Sequence, residues 1–195
     1  MEKKENFYSR NDLKKIGFKS IGKNNYISKK TSFYSINGSI GSNVRIDDFV
    51  IIKGKINISS NVHISSFCSL SGIGAEIILK EYSGLSNGVQ IFTASDNYLN
   101  AAIPGGTLNK NKRRKFSSVS KGKVNIGKCS IIGAGTVILP KVNIGDFVSV
   151  GSQNLISKNI KPGYFFSNFN VGSGIYRKRD VLKIKRELRK IKRQK

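Results

Sequence analysis

The stretch that decides the fold is IGAGTVILPKVNIGDFV, residues 132–148. Within it Ile132, Ile138 and Ile144 stand six apart, and Gly133 and Gly145 each follow one of them. An α-helix repeats its apolar face at 3.6 residues and a strand at 2, so neither alone gives a period of six. The period extends outward. Upstream it runs through Ile40, Ile46, Ile52, Ile58, Ile64 and Leu70, slips by three residues, and resumes with Ile73, Leu79, Leu85 and Ile91. After a break over about 93–125 it returns at Ile126 and continues past the quoted stretch to Val150 and Ile156. A weaker run, Ile21, Ile27 and Phe33, starts the array.

The residue after each aliphatic position is often small, as at Gly41, Ser59, Ser65, Gly127 and Gly151. The fourth after it is small or β-branched, as at Val44, Val50, Val62, Ser130, Thr136 and Val148. Between them lie Asn43, Asp48, Gly54, Asn61 and Gly88, types that adopt positive φ at low cost. One geometry meets these demands. Each hexad is a short strand plus a corner, three hexads close a triangular coil of about 18 residues, and coils stack as parallel strands about 4.8 Å apart. The sixth-residue aliphatic side chains fill the prism. Cys68 falls in a core slot, which predicts packing rather than nucleophilic chemistry.

The chain has 195 residues, room for one domain with a tail, and a formal net charge of +24. Such a charge points to an anionic partner and says nothing of fold. The opening MEKKENFYSR lacks an apolar h-region, and no run reaches a membrane span. The two cysteines, without a Cys-x-x-Cys, fit a reducing compartment. We therefore expect a cytoplasmic protein, with the inner membrane face as a site of peripheral attachment.

The pattern [Ile/Leu/Val]-Gly-x-x-[small]-x resembles the hexapeptide-repeat acyltransferases. That resemblance implies an all-β fold, a left-handed parallel β-helix (triangular β-solenoid) with a protruding loop and a C-terminal basic α-helix. It covers about residues 20–165, preceded by an N-terminal segment 1–19 and followed by an extension over 166–195. Among solenoids of this kind, a carbonic-anhydrase-like metal site needs several histidines, and this chain has only His63. A fused nucleotidyltransferase domain needs more room than the 39 residues before the main array. The order VQIFTASDNYLN (89–100), a loop, GKVNIGKCSIIGAGTVILPKVNIGD and VGSQNLISKNIKPG resembles the maltose/galactoside O-acetyltransferase group. The Ser-Asp-Asn-Tyr variant is similar to the polysaccharide O-acetyltransferase branch. The function implied is acetyl transfer from acetyl-CoA to a sugar hydroxyl of a surface polysaccharide, its lipid-linked unit or a nucleotide-sugar precursor, without a metal and in a homotrimer.

One position departs from the group. Where the maltose-type enzymes carry their catalytic His, this chain has Asp96. A carboxylate with a reference pKa of about 3.9 is a weak base toward a sugar hydroxyl. His63, which precedes core Ile64 and so points outward, is the candidate general base, with Asp96 of the same or a neighbouring subunit orienting it or binding the sugar. Asn97, Tyr98, Arg113 and Arg114 are candidate substrate contacts. By resemblance, Gly133, Ala134, Gly151 and Ser152 line the coenzyme groove and Lys158 faces its phosphates.

The break carries Lys110, Lys112, Arg113, Arg114 and Lys115, a basic loop suited to an anionic acceptor. The end, YRKRDVLKIKRELRKIKRQK (176–195), places Val181, Ile184, Leu188 and Ile191 at helical spacing against a basic face. Such a helix either caps the solenoid or meets an anionic membrane. It follows SNFNVGSGIYRKRD, which replaces the family's usual Asn-Pro-Ala-Lys ending. Three other readings stay open: N-acetylation of an amino-sugar nucleotide, a non-catalytic anion-binding scaffold, and nucleic-acid binding. The last lacks an aromatic-basic interleave, and no nucleic-acid partner is expected.

Overall fold

A computed structural model describes residues 6–98, 103–167 and 175–194. The array is a left-handed parallel β-helix of triangular section. One face stacks Tyr26–Ile27, Arg45–Ile46, His63–Ile64, Gly84–Leu85, Ile131–Ile132, Ser149–Val150 and Tyr164–Ser167. We call it face 1. Face 2 follows it round each coil and stacks residues 32–34, 51–54, 69–72, 90–92, 137–138 and 155–156. Face 3 closes the coil with residues 18–21, 38–40, 56–58, 77–79, 124–126 and 143–144.

The register is what the hexads require. Ile27, Ile46, Ile64, Leu85, Ile132 and Val150 form one internal column, and each is at most 3% exposed. Ile40, Ile58, Leu79, Ile126 and Ile144 form another, and Ile52, Leu70, Ile91, Ile138 and Ile156 the third. The fourth-position residues Val44, Val50, Val62, Cys68, Ser130, Thr136 and Val148 fill the space beside them. The buried Ser130 hydroxyl is satisfied by the coil above: Ser130 Oγ donates to the Gly145 carbonyl at 2.8 Å and accepts from Val148 N at 3.0 Å.

Two expectations are corrected. Ile73 is not a core residue but 70% exposed. The three extra residues bulge at the corner between Leu70 and Ile77, and it is Ile77 and Leu79 that register with Ile56 and Ile58. Likewise Asp48 does not take positive φ, whereas Asn43, Gly54, Asn61 and Gly88 do. Asp48 binds Ser28 and Lys30, and the left-handed corner residue is the next one, Phe49. Phe49 stacks on Phe67, the equivalent residue one coil later, with centroids 5.3 Å apart.

Both ends are covered. Helix α1, Arg10–Ile16, opens on a Ser9/Asp12 capping box and buries Leu13 against the first coil. At the other end Ile175–Lys178 pairs antiparallel with Tyr164–Ser167, so a strand covers the last edge of face 1. In the break, Ala94–Asp96 and Val119–Lys121 form an antiparallel arm, and helix α2, Lys110–Phe116, sits between them in sequence with Asn109 as N-cap. Helix α3, Val181–Arg193, is basic and amphipathic and buries none of its residues. It is tied at its start, where Arg179 Nη1 donates to the Phe147 carbonyl at 3.1 Å. No helix among the described residues is long and apolar enough to cross a membrane.

Candidate active site

Most of the residues expected to bind coenzyme fall at the corner between faces 1 and 2. Because Ile46, Ile64, Leu85, Ile132 and Val150 are in register, the residues that follow them stack as well. One column therefore runs Asp47, Ser65, Ser86, Gly133, Gly151. Four of the expected coenzyme residues, Gly133, Ala134, Gly151 and Ser152, lie on two consecutive coils of this corner. Lys158 does not: it follows Leu155–Ile156 and sits at the next corner, between faces 2 and 3.

The two glycines are explained by stacking. A Cβ on Gly133 would stand 2.5 Å from Gly151 C and 2.5 Å from Ser152 N, and one on Gly151 would stand 2.9 Å from Ser167 Oγ. Their N–H groups are used, Gly133 N donating to Val150 O and Gly151 N to Phe166 O. Ala134 and Ser152 differ. Among the described residues their N–H groups have no backbone acceptor, so these are the donors a ligand can use.

His63 projects outward, as expected, and is half-exposed; the carboxylate beside it within the chain is Asp47. His63 Nε2 lies 2.8 Å from Asp47 Oδ2, and Arg45 Nε donates to Asp47 Oδ1 at 2.6 Å. Burial alone would push the Asp47 carboxyl up; the hydrogen bonds and charges of Arg45 and His63 outweigh it and hold the group below the ordinary carboxylate range.

Asp96 ends the outgoing strand of the antiparallel arm and is exposed. Its Oδ1 accepts from Gly105 N at 3.3 Å. In one chain the face 2 strand Gln90–Phe92 separates Asp96 from the Ser86 corner. Tyr98 is 86% exposed and receives a bond from Ser95 Oγ at 3.2 Å, while Asn97 N donates to Ser118 O at 2.8 Å. Arg113 is occupied inside its own loop, donating to Gly105 O at 2.7 Å and Leu108 O at 3.2 Å. Arg114 is exposed on α2 with Lys110, Lys112 and Lys115. Of the SNFNVGSGIYRKRD stretch, residues 168–174 lie outside the described residues.

No protein-family model matches the chain. It is 34% identical over 172 residues to dTDP-4-amino-4,6-dideoxy-D-glucose acyltransferase of Escherichia coli, covering 84% of this chain and 81% of that one. The chain belongs to the hexapeptide-repeat sugar acyltransferases. A solved member, the N-acyltransferase AntD from Bacillus cereus in complex with dTDP and 3-hydroxybutyryl-CoA, superposes with a TM-score of 0.85 at 36% identity, covering 97% of this chain and 98% of that one. A maltose O-acetyltransferase from Clostridium difficile 630, 20% identical with a TM-score of 0.50, covers 87% of this chain and 73% of its own, and shares the fold alone.

Other structures of AntD carry substitutions at one serine and one aspartate ten positions apart. Ser86 and Asp96 are the same residue types at the same spacing here. The sequence of this acyltransferase had already singled out Asp96 as a candidate. It had not singled out Ser86, because a serine after a core aliphatic is ordinary in the repeat. Asp47 was missed as well, although the coil length held the signal: His63 less 18 is Arg45, and Asp47 is the next outward residue.

Proposed function

We propose that this acyltransferase moves a short acyl group from coenzyme A to the amino group of a nucleotide-linked amino sugar, of the dTDP-4-amino-4,6-dideoxyglucose class. The observation that carries this reading is Asp96 in the position where the O-acetylating enzymes of the resemblance hold a histidine. Removing a proton from a sugar hydroxyl asks for a stronger base than a carboxylate. An unprotonated amine is already a nucleophile, and its proton becomes acidic only once the C–N bond begins to form. A carboxylate suffices for that task. The relatives support the reading that the sequence placed second, N-acetylation of an amino-sugar nucleotide, over O-acetylation.

In this mechanism the amine nitrogen attacks the thioester carbon and its proton passes to Asp96. The C–S bond breaks, and the coenzyme leaves as a thiolate that takes up a proton from Asp96 or water. Ser86 is the side-chain donor offered to the oxyanion, and the N–H groups of Ala134 and Ser152 hold the pantetheine amides. Lys110, Lys112, Arg114 and Lys115 face the acceptor's diphosphate; Arg113 shapes the loop that presents them. We further propose that Asp96 reaches the Ser86 corner of a neighbouring copy in a homotrimer.

The reading is tested by following thiol release from acetyl-CoA and 3-hydroxybutyryl-CoA with dTDP-4-amino-4,6-dideoxyglucose as acceptor. Release that depends on the amine supports the proposal. Release of equal rate with the 4-hydroxy analogue overturns it in favour of O-acylation. A light-scattering mass of one chain rather than three removes the shared site.

A further inference from the structure

The outer surface of face 1 has a gap between His63 and Ile131. The residue between them in register is Gly84, paired with His63 on one side and Ile131 on the other. A Cβ built on Gly84 meets no atom within 4 Å, and its φ is not positive. Neither coil stacking nor backbone conformation therefore demands glycine here, in contrast to Gly133. What glycine does is keep the space clear. Ser86 lies two residues along the same coil, about 6.6 Å away at strand spacing.

The walls of this notch differ. Ile131 is apolar and half-exposed. His63 is polar and fixed, with Nε2 2.8 Å from Asp47 Oδ2; the tautomer that places its proton on Nε2, toward the carboxylate, leaves Nδ1 as an acceptor. No other described residue bonds Nδ1. The position along the corner matters too. If Ala134 and Ser152 hold the pantetheine and the thioester meets Ser86, the acyl group runs on toward the earlier coils, where Ser65, Asp47 and His63 stand.

We propose that the notch over Gly84 receives the acyl chain of the donor thioester, and that His63 selects chains carrying a hydroxyl, accepting a hydrogen bond at Nδ1 while Ile131 packs against the chain's methyl end. This rests on the acyl-transfer reading above and gives His63 a positioning role in place of the general-base role expected from sequence.

The experiment compares kcat/KM for acetyl-CoA, butyryl-CoA and 3-hydroxybutyryl-CoA in the full-length protein and three variants. The unaltered protein is expected to favour 3-hydroxybutyryl-CoA over butyryl-CoA by about tenfold or more, since a site built to bond a hydroxyl rejects the analogue without it. His63→Leu brings that ratio to about one. Gly84→Val fills the notch and lowers the 3-hydroxybutyryl-to-acetyl ratio by about tenfold or more. His63→Gln, which restores an acceptor, recovers part of the preference and serves if His63→Leu does not fold.

An unchanged ratio in the histidine and glycine variants overturns the proposal. So does an equal fall for all three thioesters in His63→Leu, the behaviour of a general base. Turnover with unmoved ratios defeats this inference alone. No thiol release from any thioester in the unaltered protein defeats the acyl-transfer reading, and this inference with it.

Discussion

The same substitution at two glycines of one corner region should have opposite effects. In Gly133→Ala the new Cβ stands 2.5 Å from Gly151 C and from Ser152 N. Carbon contacts sit at about 3.5–4.0 Å, so the coils must part by about 1 Å. They cannot do so without stretching two bonds that cross this gap, Gly133 N to Val150 O at 2.9 Å and Gln153 N to Ala134 O at 2.7 Å. Overpacking of about 1–3 kcal/mol and about 1 kcal/mol for each weakened bond give a loss of roughly 3–5 kcal/mol. For a chain of this size that lowers Tm by roughly 6–20 °C. Gly84→Ala meets open space, and the stiffer unfolded chain should raise stability by about 0.4–1 kcal/mol. Thermal unfolding followed by circular dichroism at one protein concentration reads both, since assembly would make Tm concentration-dependent. Equal shifts, or a larger loss at Gly84, would refute the assignment of Gly133 to coil stacking.

Three further outcomes follow from the site. Asp96→Asn should lower kcat/KM with the amine acceptor by about 10²-fold or more while coenzyme binding, read by calorimetry, persists; a loss under tenfold would remove Asp96 as the base. Asp47 is held below the ordinary range by Arg45 and His63, so its stabilising contribution is present above the unfolded value of about 3.9 and is lost as pH falls through the lower folded value. The urea midpoints of the unaltered protein and Asp47→Asn should therefore differ at neutral pH and converge below about pH 4, and a constant gap would contradict this. Burial pushes the Cys68 thiol up to about 11, so at about pH 8 only about one thiol in a thousand ionises, and Cys68 should be labelled at least about 100-fold faster after unfolding than before, by mass mapping.

The fold was legible because its signal is local and repeated. Each hexad states its own inward residue, and its repetition from Ile40 through Ile156 leaves one solution. The reading failed where an insertion is closed by structure rather than by period. Around Ile73 the corner absorbs three residues and Glu76 is fixed there by Asn57, Lys55 and Lys123, contacts that spacing does not announce. The strand Ile175–Lys178 was equally hidden, since nothing in its sequence marks it as the partner of Tyr164–Ser167. Among the candidates, Asp96 stood out by departing from a pattern, whereas Gly133 and Gly151 fit both packing and ligand roles by sequence, and the backbone of the next coil requires glycine at Gly133. The His63–Asp47 pair shows what an explicit 18-residue wrap adds: residues 16 apart meet because one coil nearly separates them.

Transfer of the acyl group to nitrogen is what the proposed chemistry requires. The most direct test offers the purified protein acetyl-CoA or 3-hydroxybutyryl-CoA with an equimolar mixture of dTDP-4-amino-4,6-dideoxyglucose and its 4-hydroxy analogue, and identifies the product by mass and by two-dimensional NMR. The expected outcome is a single product with the acyl group in amide linkage at the former amine and the hydroxy analogue recovered intact. An ester on the hydroxy analogue, formed at a comparable rate, would contradict it.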